Sequence, residues 1–134
     1  MSTYVILDTC IVSYIMKHDS RGKDYLAQLH SYQASISFMT LAEICRWPRQ
    51  RQWGDARSAQ FFEHMKQYPV LPFTENVCWY WALVKDYDRS KRMNDGDAWI
   101  AATALAYKAP LATHNFEDFR HIVELDIIHV PGVN

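Results

Sequence analysis

Short apolar runs alternate along this chain with longer stretches in which apolar residues recur at helical spacing. The runs that predict buried strands cover residues 3–7, 35–38, 70–73, 111–113 and 127–130. The stretches that predict helices cover about 9–18, 22–31, 40–47, 55–67, 74–89, 95–109 and 116–123. Such alternation predicts an α/β sandwich in which helices cover both faces of a mostly parallel sheet.

Capping residues and prolines define several of the predicted helix ends more closely. Thr40 and Thr74 are expected N-caps, because a hydroxyl at that position can accept a free backbone N–H. Pro48 is expected to end the helix that Thr40 opens. The helix over 95–109 is rich in alanine, which should let it approach the sheet closely, and Pro110 ends it.

Length and composition indicate one domain over residues 1–134, because 134 residues with 49% hydrophobic content can build a sizeable core. No stretch approaches the roughly 18 apolar residues of a membrane span, and no basic segment leads into a signal-like one. We therefore expect a cytoplasmic protein without a membrane partner. The three cysteines are far apart and predict neither disulfides nor a thiolate zinc site.

Four oxygen-bearing side chains are predicted to face one crevice. Asp8 and Asn115 each follow a predicted strand, and Glu43 and Asp97 lie in the first turns of predicted helices. Sites in open parallel sheets gather beyond the carboxyl ends of the strands. Because several carboxylates repel one another unless a cation intervenes, the group predicts a site for a hard cation such as Mg²⁺.

Each of these residues also has an ordinary structural explanation. Asp8 could cap the helix that begins near Thr9. Helix capping or the helix macrodipole could likewise account for the others: Glu43 in a capping box with Thr40, Asp95 and Asp97 in a first turn, and Asn115 before Phe116. Independent caps explain the residues singly, but they do not explain why so many possible ligands occur together.

A basic segment over residues 46–57 carries one acidic residue among four arginines, with two tryptophans between them. Arginines can bind phosphates and indoles can stack on bases, which suits a single-stranded or looped RNA. A solvated helix face would explain the same pattern. Farther along, Trp79, Tyr80 and Trp81 cannot all be buried on one helix face, so part of that surface is a candidate interface with another subunit or with a helix of a partner protein.

Four segments of the chain together resemble a known family. They cover residues 7–9, 37–44, 97–104 and 111–119, and the third is the most specific. In order and across nearly the whole chain, they resemble the PIN-domain family, and more closely the VapC-type toxins of bacterial toxin–antitoxin pairs. The resemblance implies a three-layer α/β/α sandwich and a homodimer that a cognate antitoxin neutralises.

The resemblance also implies an activity and its residues. It implies a Mg²⁺-dependent endoribonuclease, with Mn²⁺ as an alternative ion, whose products carry a 3′-hydroxyl and a 5′-phosphate. Asp8, Glu43 and Asp97 match the three principal acidic positions, with Asp8 and Asp97 as the metal ligands. The fourth catalytic position is Asn115, where many members have Asp. Secondary ligands or supporting groups would be Thr9, Asp95, Thr113 and Asp118, the last a possible substitute for Asn115.

The resemblance further implies a structured RNA substrate such as tRNA or ribosomal RNA. Candidate phosphate contacts are Arg46, Arg49, Arg51, Lys91 and Arg92. Two other classes remain open. A catalytically weakened PIN-like module could act through RNA or protein binding, since Asn115 removes one charge. A phosphatase with a strand-end Asp is disfavoured, because such enzymes usually place a second Asp where Cys10 stands.

Overall fold

The computed structural model describes residues 3–90 and 92–131, with helices on both sides of a small parallel sheet. The first half of the described chain contains β1 (Tyr4–Leu7), α1 (Thr9–Met16), α2 (Ser20–Leu29), β2 (Gln33–Ser35), α3 (Phe38–Gln50) and α4 (Asp55–Met65). The second half contains α5 (Glu75–Tyr87), α6 (Asp95–Ala106), β3 (Leu111–Ala112), α7 (Phe116–Phe119) and β4 (Ile127–Ile128).

The sheet has the order β2-β1-β3-β4, and each neighbouring pair is parallel. Ile6 in β1 is opposite both Ser35 in β2 and Leu111 in β3. Beyond the last strand pair, the backbone N–H of Asp8 donates to the Ala112 carbonyl at 2.9 Å. The carboxyl ends of β1 and β3 are therefore held side by side, and the residues that follow them share one edge of the sheet.

Side chains alternate across β1 and enter two separate hydrophobic cores. Ile6 packs in the core that also includes residues of α5, α6 and α7, whereas Val5 and Leu7 pack in the core formed with α1 to α4. All three side chains are completely buried. This strict alternation is the signature of a strand covered on both faces, and it confirms the predicted α/β/α sandwich.

Helix α6 lies almost wholly within the protein and packs against α5, α3 and β1. Residues 100–105 are buried on every side, and three of those six are alanines. The small side chains let neighbouring elements approach closely, as the sequence predicted. Since α6 begins at Asp95, this packing also holds the first turn of the helix, with Asp97, at the edge of the sheet.

Two strand predictions need correction. Residues 70–73 form no strand; only an isolated bridge joins Ile36 to Val70, and the Leu71 N–H donates to the Ile36 carbonyl at 3.0 Å. Pro72 has no N–H, so a regular ladder cannot continue through this segment. The strand predicted over 35–38 ends at Ser35, because the chain has already turned into α3 by Phe38.

Helix α3 also differs from its prediction at both ends. Its N-cap is Ser37, whose hydroxyl accepts the Thr40 N–H at 3.1 Å, so the predicted capping box of Thr40 and Glu43 is wrong. Pro48 lies inside the helix, which continues to Gln50. A proline removes one helical hydrogen bond near the end of a helix, and the tertiary contacts of the buried Trp47 compensate for that loss.

Other helix ends fall earlier than predicted. Helix α6 ends at Ala106 rather than near residue 109, and Lys108 then adopts a φ of 53°, which reverses the chain towards β3. Helix α7 is a single turn, not the predicted eight residues. No helix in the described part of the chain has the length and apolar character that crossing a bilayer requires.

We expect Gly22→Ala to destabilise the protein, because Gly22 is where α2 touches α1. An added Cβ would lie 2.8 Å from the carbonyl carbon of Tyr14 and 2.9 Å from the Cα of Ile15, and backbone atoms cannot move aside cheaply. The expected loss in free energy of unfolding is about 1–3 kcal/mol, measured by chemical denaturation. Gly54→Ala is the matched control, because nothing lies within 4 Å of its added Cβ. Its loss should be about 0.5 kcal/mol or less, and equal losses for the two variants would contradict the argument.

Candidate active site

Asp8 is a buried carboxylate at the carboxyl end of a central strand. It is 4% exposed, and its Oδ1 accepts the Thr9 N–H at 2.8 Å, which confirms that it caps α1. Its Oδ2 accepts the Thr113 hydroxyl at 2.7 Å. Burial raises the pKa of Asp8, and the hydrogen bonds from Thr113 and Thr9 oppose that rise. Capping and a functional role are therefore compatible for this residue.

Cys10 is the third group beside Asp8. Its Sγ lies 3.6 Å from Asp8 Oδ2, within reach of a weak S–H hydrogen bond. Burial, followed by the charge of Asp8, raises the pKa of the Cys10 thiol to about 12. The sulfur therefore remains a protonated thiol near neutral pH and is a poor metal ligand.

Thr113 joins the ends of β1 and β3 through its hydroxyl. Besides donating to Asp8, the Oγ1 atom accepts the Asn115 N–H at 3.1 Å. Thr113 is completely buried, so its hydroxyl needs these partners. Thr113 was expected to support the site. Its two hydrogen bonds orient the Asp8 carboxylate and the turn that carries Asn115.

Glu43 lies on the second turn of α3, half-buried against the start of α6. A Cβ built on Gly96 would lie 3.6 Å from Glu43 Oε1, an ordinary contact distance, so Glu43 is directly beside the first turn of α6. Burial and the charge of Asp8 raise the pKa of Glu43, while a hydrogen bond from Thr9 lowers it. The Thr9 hydroxyl also lies 3.1 Å from Thr40 Oγ1, which ties α1 to α3 at this point.

Asp97 lies in the first turn of α6, three residues after the N-cap residue Asn94. The Asn94 Oδ1 accepts the Asp97 N–H at 2.7 Å, and the Asn94 side-chain amide donates to Asp97 Oδ2 at 3.1 Å. Burial, then the charges of Asp8, Asp118 and Glu43, raise the pKa of Asp97 to about 7. The sequence analysis missed Asn94, although an Asn three residues before an acidic position and an apolar run is a recognised N-cap signal.

Asp118, not Asn115, supplies the fourth negative charge near these groups. The charge of Asp118 contributes to the raised pKa values of both Asp8 and Asp97. Asn115 is exposed, and its side chain does not cap α7. Asp95 faces α5, where its carboxylate lies 3.4 Å from the Lys85 Nζ and is 81% exposed. The structure therefore groups Asp8, Glu43 and Asp97 with Asp118 and directs Asp95 elsewhere.

The donor set fits a hard cation that keeps part of its water. Among residues 3–90 and 92–131, no three His, Cys, Asp or Glu side chains are close enough to hold one metal ion directly. The mutual effects on pKa nevertheless show that the four carboxyl groups lie within electrostatic reach of one another. These observations agree if two carboxylates bind and the rest act through water, as Mg²⁺ commonly allows. None of the ion pairs in the described segments includes any of the four carboxyl groups.

A cleft of about 420 Å³ extends from Asp97 and Asp118 to two exposed arginines, Arg89 and Arg92. The turn that carries the arginines is held by Asp88, whose buried carboxylate accepts the Met93 N–H at 3.2 Å. Arg92 was predicted as a phosphate contact, whereas Arg89 was not. Lys91, also predicted, lies outside the described residues.

The arginines of α3 have different surroundings. Arg46 and Arg49 are exposed, and Arg46 is nearly one helical turn beyond Glu43. Arg51 instead lies over the Trp47 ring, 4.6 Å from its centroid. Trp47 is only 8% exposed, so the idea that this indole stacks on an RNA base is wrong. Trp53 packs against Phe61, with ring centroids 5.1 Å apart.

Comparison with known proteins agrees with this fold. A model of the PIN domain matches residues 5–125, and the chain therefore belongs to the PIN domain family, as the sequence motifs indicated. Within that family it is 31% identical to a ribonuclease VapC of Rickettsia bellii (strain RML369-C), over 95% of this chain and 96% of the relative. It is 28% identical to ribonuclease VapC1 of Haemophilus influenzae (strain R2866), over 90% and 92% of the two chains.

Solved structures with the same fold include VapBC complexes. VapBC-1 from nontypeable Haemophilus influenzae matches with a TM-score of 0.80 at 26% identity, covering 94% of this chain and 97% of that one. VapBC2 from Rickettsia felis, bound to a DNA fragment from their promoter, also has a TM-score of 0.80, at 21% identity. It covers 96% of this chain and 99% of the matched one.

We predict that the metal-free protein becomes less stable as the pH rises from about 5 to about 8. The pKa of Asp97 is about 7 in the folded protein, against 3.8 without these surroundings, so the folded state retains a proton that the unfolded state releases. The resulting stability is complete below about pH 4 and is lost as the pH rises through about 7. Urea denaturation in EDTA at several pH values measures this slope.

Asp97→Asn should make that pH profile shallower without making it flat, because the pKa values of Asp8 and Glu43 are also raised. Asp86→Asn is the control, since Asp86 is an exposed carboxylate on α5. It should leave the slope unchanged. A wild-type stability that does not fall between about pH 5 and pH 8 would contradict the prediction.

Proposed function

We propose that this protein is a metal-dependent endoribonuclease that acts as the toxin of a toxin–antitoxin pair. The observation that carries the proposal is a group of carboxyl groups at the edge of the sheet: the charges of Asp8, Asp118 and Glu43 add to burial in raising the pKa of Asp97, and none of the four has a basic ion-pair partner in the described segments. Its relatives are named ribonucleases VapC, which supports RNA as the substrate.

Mg²⁺, or Mn²⁺ in its place, is the cofactor that this donor set favours. Asp8 and Asp97 would hold the ion, while Glu43 and Asp118 would act through its water ligands. When bound, the ion supplies a Lewis acid that lowers the pKa of water and offsets charge on the phosphate. Oxygen donors and the absence of a usable thiolate at Cys10 favour these hard ions over zinc.

The residues around Asp8 keep its carboxylate in one orientation. Thr9 and Thr113 each direct a donor to a different oxygen of Asp8, which restrains rotation of the carboxylate. Asn94 does the same for Asp97 from the helix N-cap. Ligands that are held in place before the substrate arrives need less rearrangement during the reaction, which is how a protein contributes to phosphodiester hydrolysis.

A single-stranded region of a structured RNA, such as a tRNA or ribosomal RNA loop, suits the site better than a duplex. The carboxylates lie partly buried in a crevice, and a flexible strand can enter it more readily than a stiff helix. Arg92, with Arg46 and Arg49, would bind flanking phosphates and offset the repulsion between the acidic centre and the RNA backbone. Lys91, which the sequence also predicts as a phosphate contact, lies outside the described residues. Arg51 is held against Trp47 and has the weaker case.

Asn115 favours a second candidate function, a PIN-like module with weakened catalysis that acts through RNA or protein binding. An amide at this position provides no charge, and its exposed side chain does not cap the helix that follows. The charge of Asp118 compensates in part, because it acts on both Asp8 and Asp97. Measured cleavage decides between the two candidates.

We expect Asp8→Asn and Asp97→Asn each to lower the rate of RNA cleavage by about 100-fold or more, since even groups that only support a ligand cost 10–100-fold. The assay incubates purified protein with labelled tRNA and ribosomal RNA in Mg²⁺, in Mn²⁺ and in EDTA. Asp86→Asn should cleave at the wild-type rate. Cleavage that survives EDTA or both site substitutions would reject metal-dependent hydrolysis at these residues.

The expected partners are a cognate antitoxin and a second copy of the chain, both in the cytoplasm. The VapBC-1 structure, at 26% identity, is named for a complex of this kind. Trp79 is 69% exposed and Phe73 is 50% exposed, so large apolar side chains are available for a protein contact.

We predict that expression of the wild-type protein arrests bacterial growth and that Asp8→Asn does not. Co-expression of the neighbouring small gene should restore growth, and its product should co-purify with this chain. The mass of the purified chain by light scattering should be twice that of the 15.7 kDa monomer. Equal toxicity of the Asp8→Asn and wild-type proteins would contradict the toxin mechanism.

A further inference from the structure

A second cavity, of about 340 Å³, opens on the other side of α7 from the arginine-lined cleft. The two cavities share Glu117 and Asp118, which both lie in the single turn of α7. The other residues that line the second cavity are His114, Asn115, Phe116 and His129. We call it the imidazole cavity. It borders the carboxyl cluster through Asp118, so a ligand there would sit next to the proposed reaction site.

Three rings line the imidazole cavity and contact one another. Phe116 and His129 are stacked, with centroids 5.4 Å apart and an interplanar angle of 18°. His114 lies 5.5 Å from His129 at an angle of 58°. His129 is exposed, so its ring is accessible from solvent. Aromatic and imidazole rings of this kind are the surfaces on which proteins stack unpaired RNA bases.

The hydrogen bonds of Tyr25 determine the tautomer of His114. The Tyr25 hydroxyl lies 3.0 Å from the Thr113 carbonyl, 3.1 Å from the Val130 N–H and 2.9 Å from His114 Nδ1. A carbonyl can only accept, so the single hydroxyl proton goes to Thr113, and the hydroxyl accepts from Val130. His114 Nδ1 must then donate, which leaves Nε2 as the acceptor of the neutral ring.

The Asn115 side chain adds an amide to the same cavity. Asn115 is exposed, and no side-chain hydrogen bond engages its amide within the described residues. An amide offers both donors and an acceptor, and His114 Nε2 offers one more acceptor. The edges of nucleobases carry the complementary groups. The imidazole cavity therefore combines a stacking surface with groups that can read a base edge.

Charge favours a base over a phosphate in this cavity. The acidic residues Glu117 and Asp118 line it, and among them only Glu117 has an ion-pair partner in the described part of the chain, Arg120. A phosphate would meet net negative charge, whereas a neutral base would not. The cleft that shares Glu117 and Asp118 with it also contains Arg89 and Arg92, two cations that the lining of the imidazole cavity lacks.

We propose that the imidazole cavity binds one unpaired nucleobase of the RNA beside the cleaved phosphodiester, with the base stacking on the exposed His129 ring and with Asn115 and His114 contacting its edge. This inference rests on the proposed ribonuclease function. It gives Asn115 a role in substrate recognition that an aspartate would not serve equally, because a carboxylate provides no hydrogen-bond donor.

The test measures binding separately from cleavage. Fluorescence anisotropy would follow a labelled single-stranded RNA of about ten nucleotides in EDTA, together with oligomers in which one position at a time lacks its base. We expect His129→Ala to weaken binding of the intact RNA by about 5- to 100-fold. It should have little effect on the one oligomer that lacks the bound base. His129→Phe should restore binding, because a phenyl ring also stacks.

Two further variants separate base contacts from backbone contacts. Arg92→Ala should weaken intact and abasic oligomers equally and reduce the salt dependence, as loss of a phosphate contact does. His30→Ala is the matched histidine control, since His30 is exposed at the end of α2 and does not line the cavity. It should bind as the wild type does. Melting temperatures of all the variants would show that each one is folded.

The outcomes distinguish this inference from the proposed function. If the wild type cleaves RNA in Mg²⁺ but His129→Ala and Asn115→Ala bind every oligomer as tightly as the wild type, the base subsite is wrong and the ribonuclease function stands. If the wild type neither cleaves nor binds RNA, the proposed function fails and the subsite fails with it. Position-specific loss of affinity that His129→Phe restores supports the subsite.

Discussion

Burial of the Asp8 carboxylate at the end of a central strand is the constraint on which the site depends. The neighbours of β1 cover it on both edges, so a residue directly after the strand is surrounded by protein. A buried carboxylate must find donors, and Thr9 and Thr113 provide them. Those hydrogen bonds stabilise Asp8 but leave its electrostatic repulsion with Asp97 and Glu43 in place. Since no basic side chain of residues 3–90 and 92–131 forms an ion pair with these carboxylates, the charge conflict is not resolved in that part of the fold.

The packing of α6 explains how segments far apart in the sequence bring their carboxylates close together. An alanine-rich helix buried on all sides can occupy only one position between the sheet and its neighbours. Its first turn therefore meets the carboxyl end of β1, and Asn94 orients Asp97 at that point. Glu43 of α3 lies directly beside this turn, at Gly96. Helix packing and capping together assemble the acidic group.

Much of the fold could be predicted from local pattern, because most elements carry strong periodicity or clear caps. Thr74 caps α5 as expected, and β1 ends directly before Asp8. The predicted start of α3 was wrong because both Ser37 and Thr40 can cap a helix. Which of the two does so depends on where β2 ends. The strand predicted over 70–73 was wrong because Pro72 cannot donate to a ladder and, of the neighbouring apolar residues, Leu71 is buried whereas Val70 and Phe73 are exposed.

The site was predictable only in part. Motifs indicated Asp8, Glu43 and Asp97, whereas the influence of Asp118 depends on how α7 folds back towards the sheet. The network around Tyr25 could not be predicted, because its hydroxyl meets Thr113 across 88 positions of sequence. Contacts of that separation depend on tertiary packing and leave no local signal. The surroundings of the arginines could not be predicted either, since the contact of Arg51 with the Trp47 ring forms only in the folded protein.

The protonated state of the Cys10 thiol affects how this residue reacts with oxidants. Oxidants such as hydrogen peroxide attack thiolates, and a thiol with a pKa of about 12 forms almost none near neutral pH. Cys45 and Cys78 are exposed on α3 and α5 and would react first, as peptide mass spectrometry after peroxide treatment would reveal. The atom next to Asp8 is thereby shielded from sulfenic acid formation, so the acidic centre would remain chemically intact while the surface of the molecule is being oxidised.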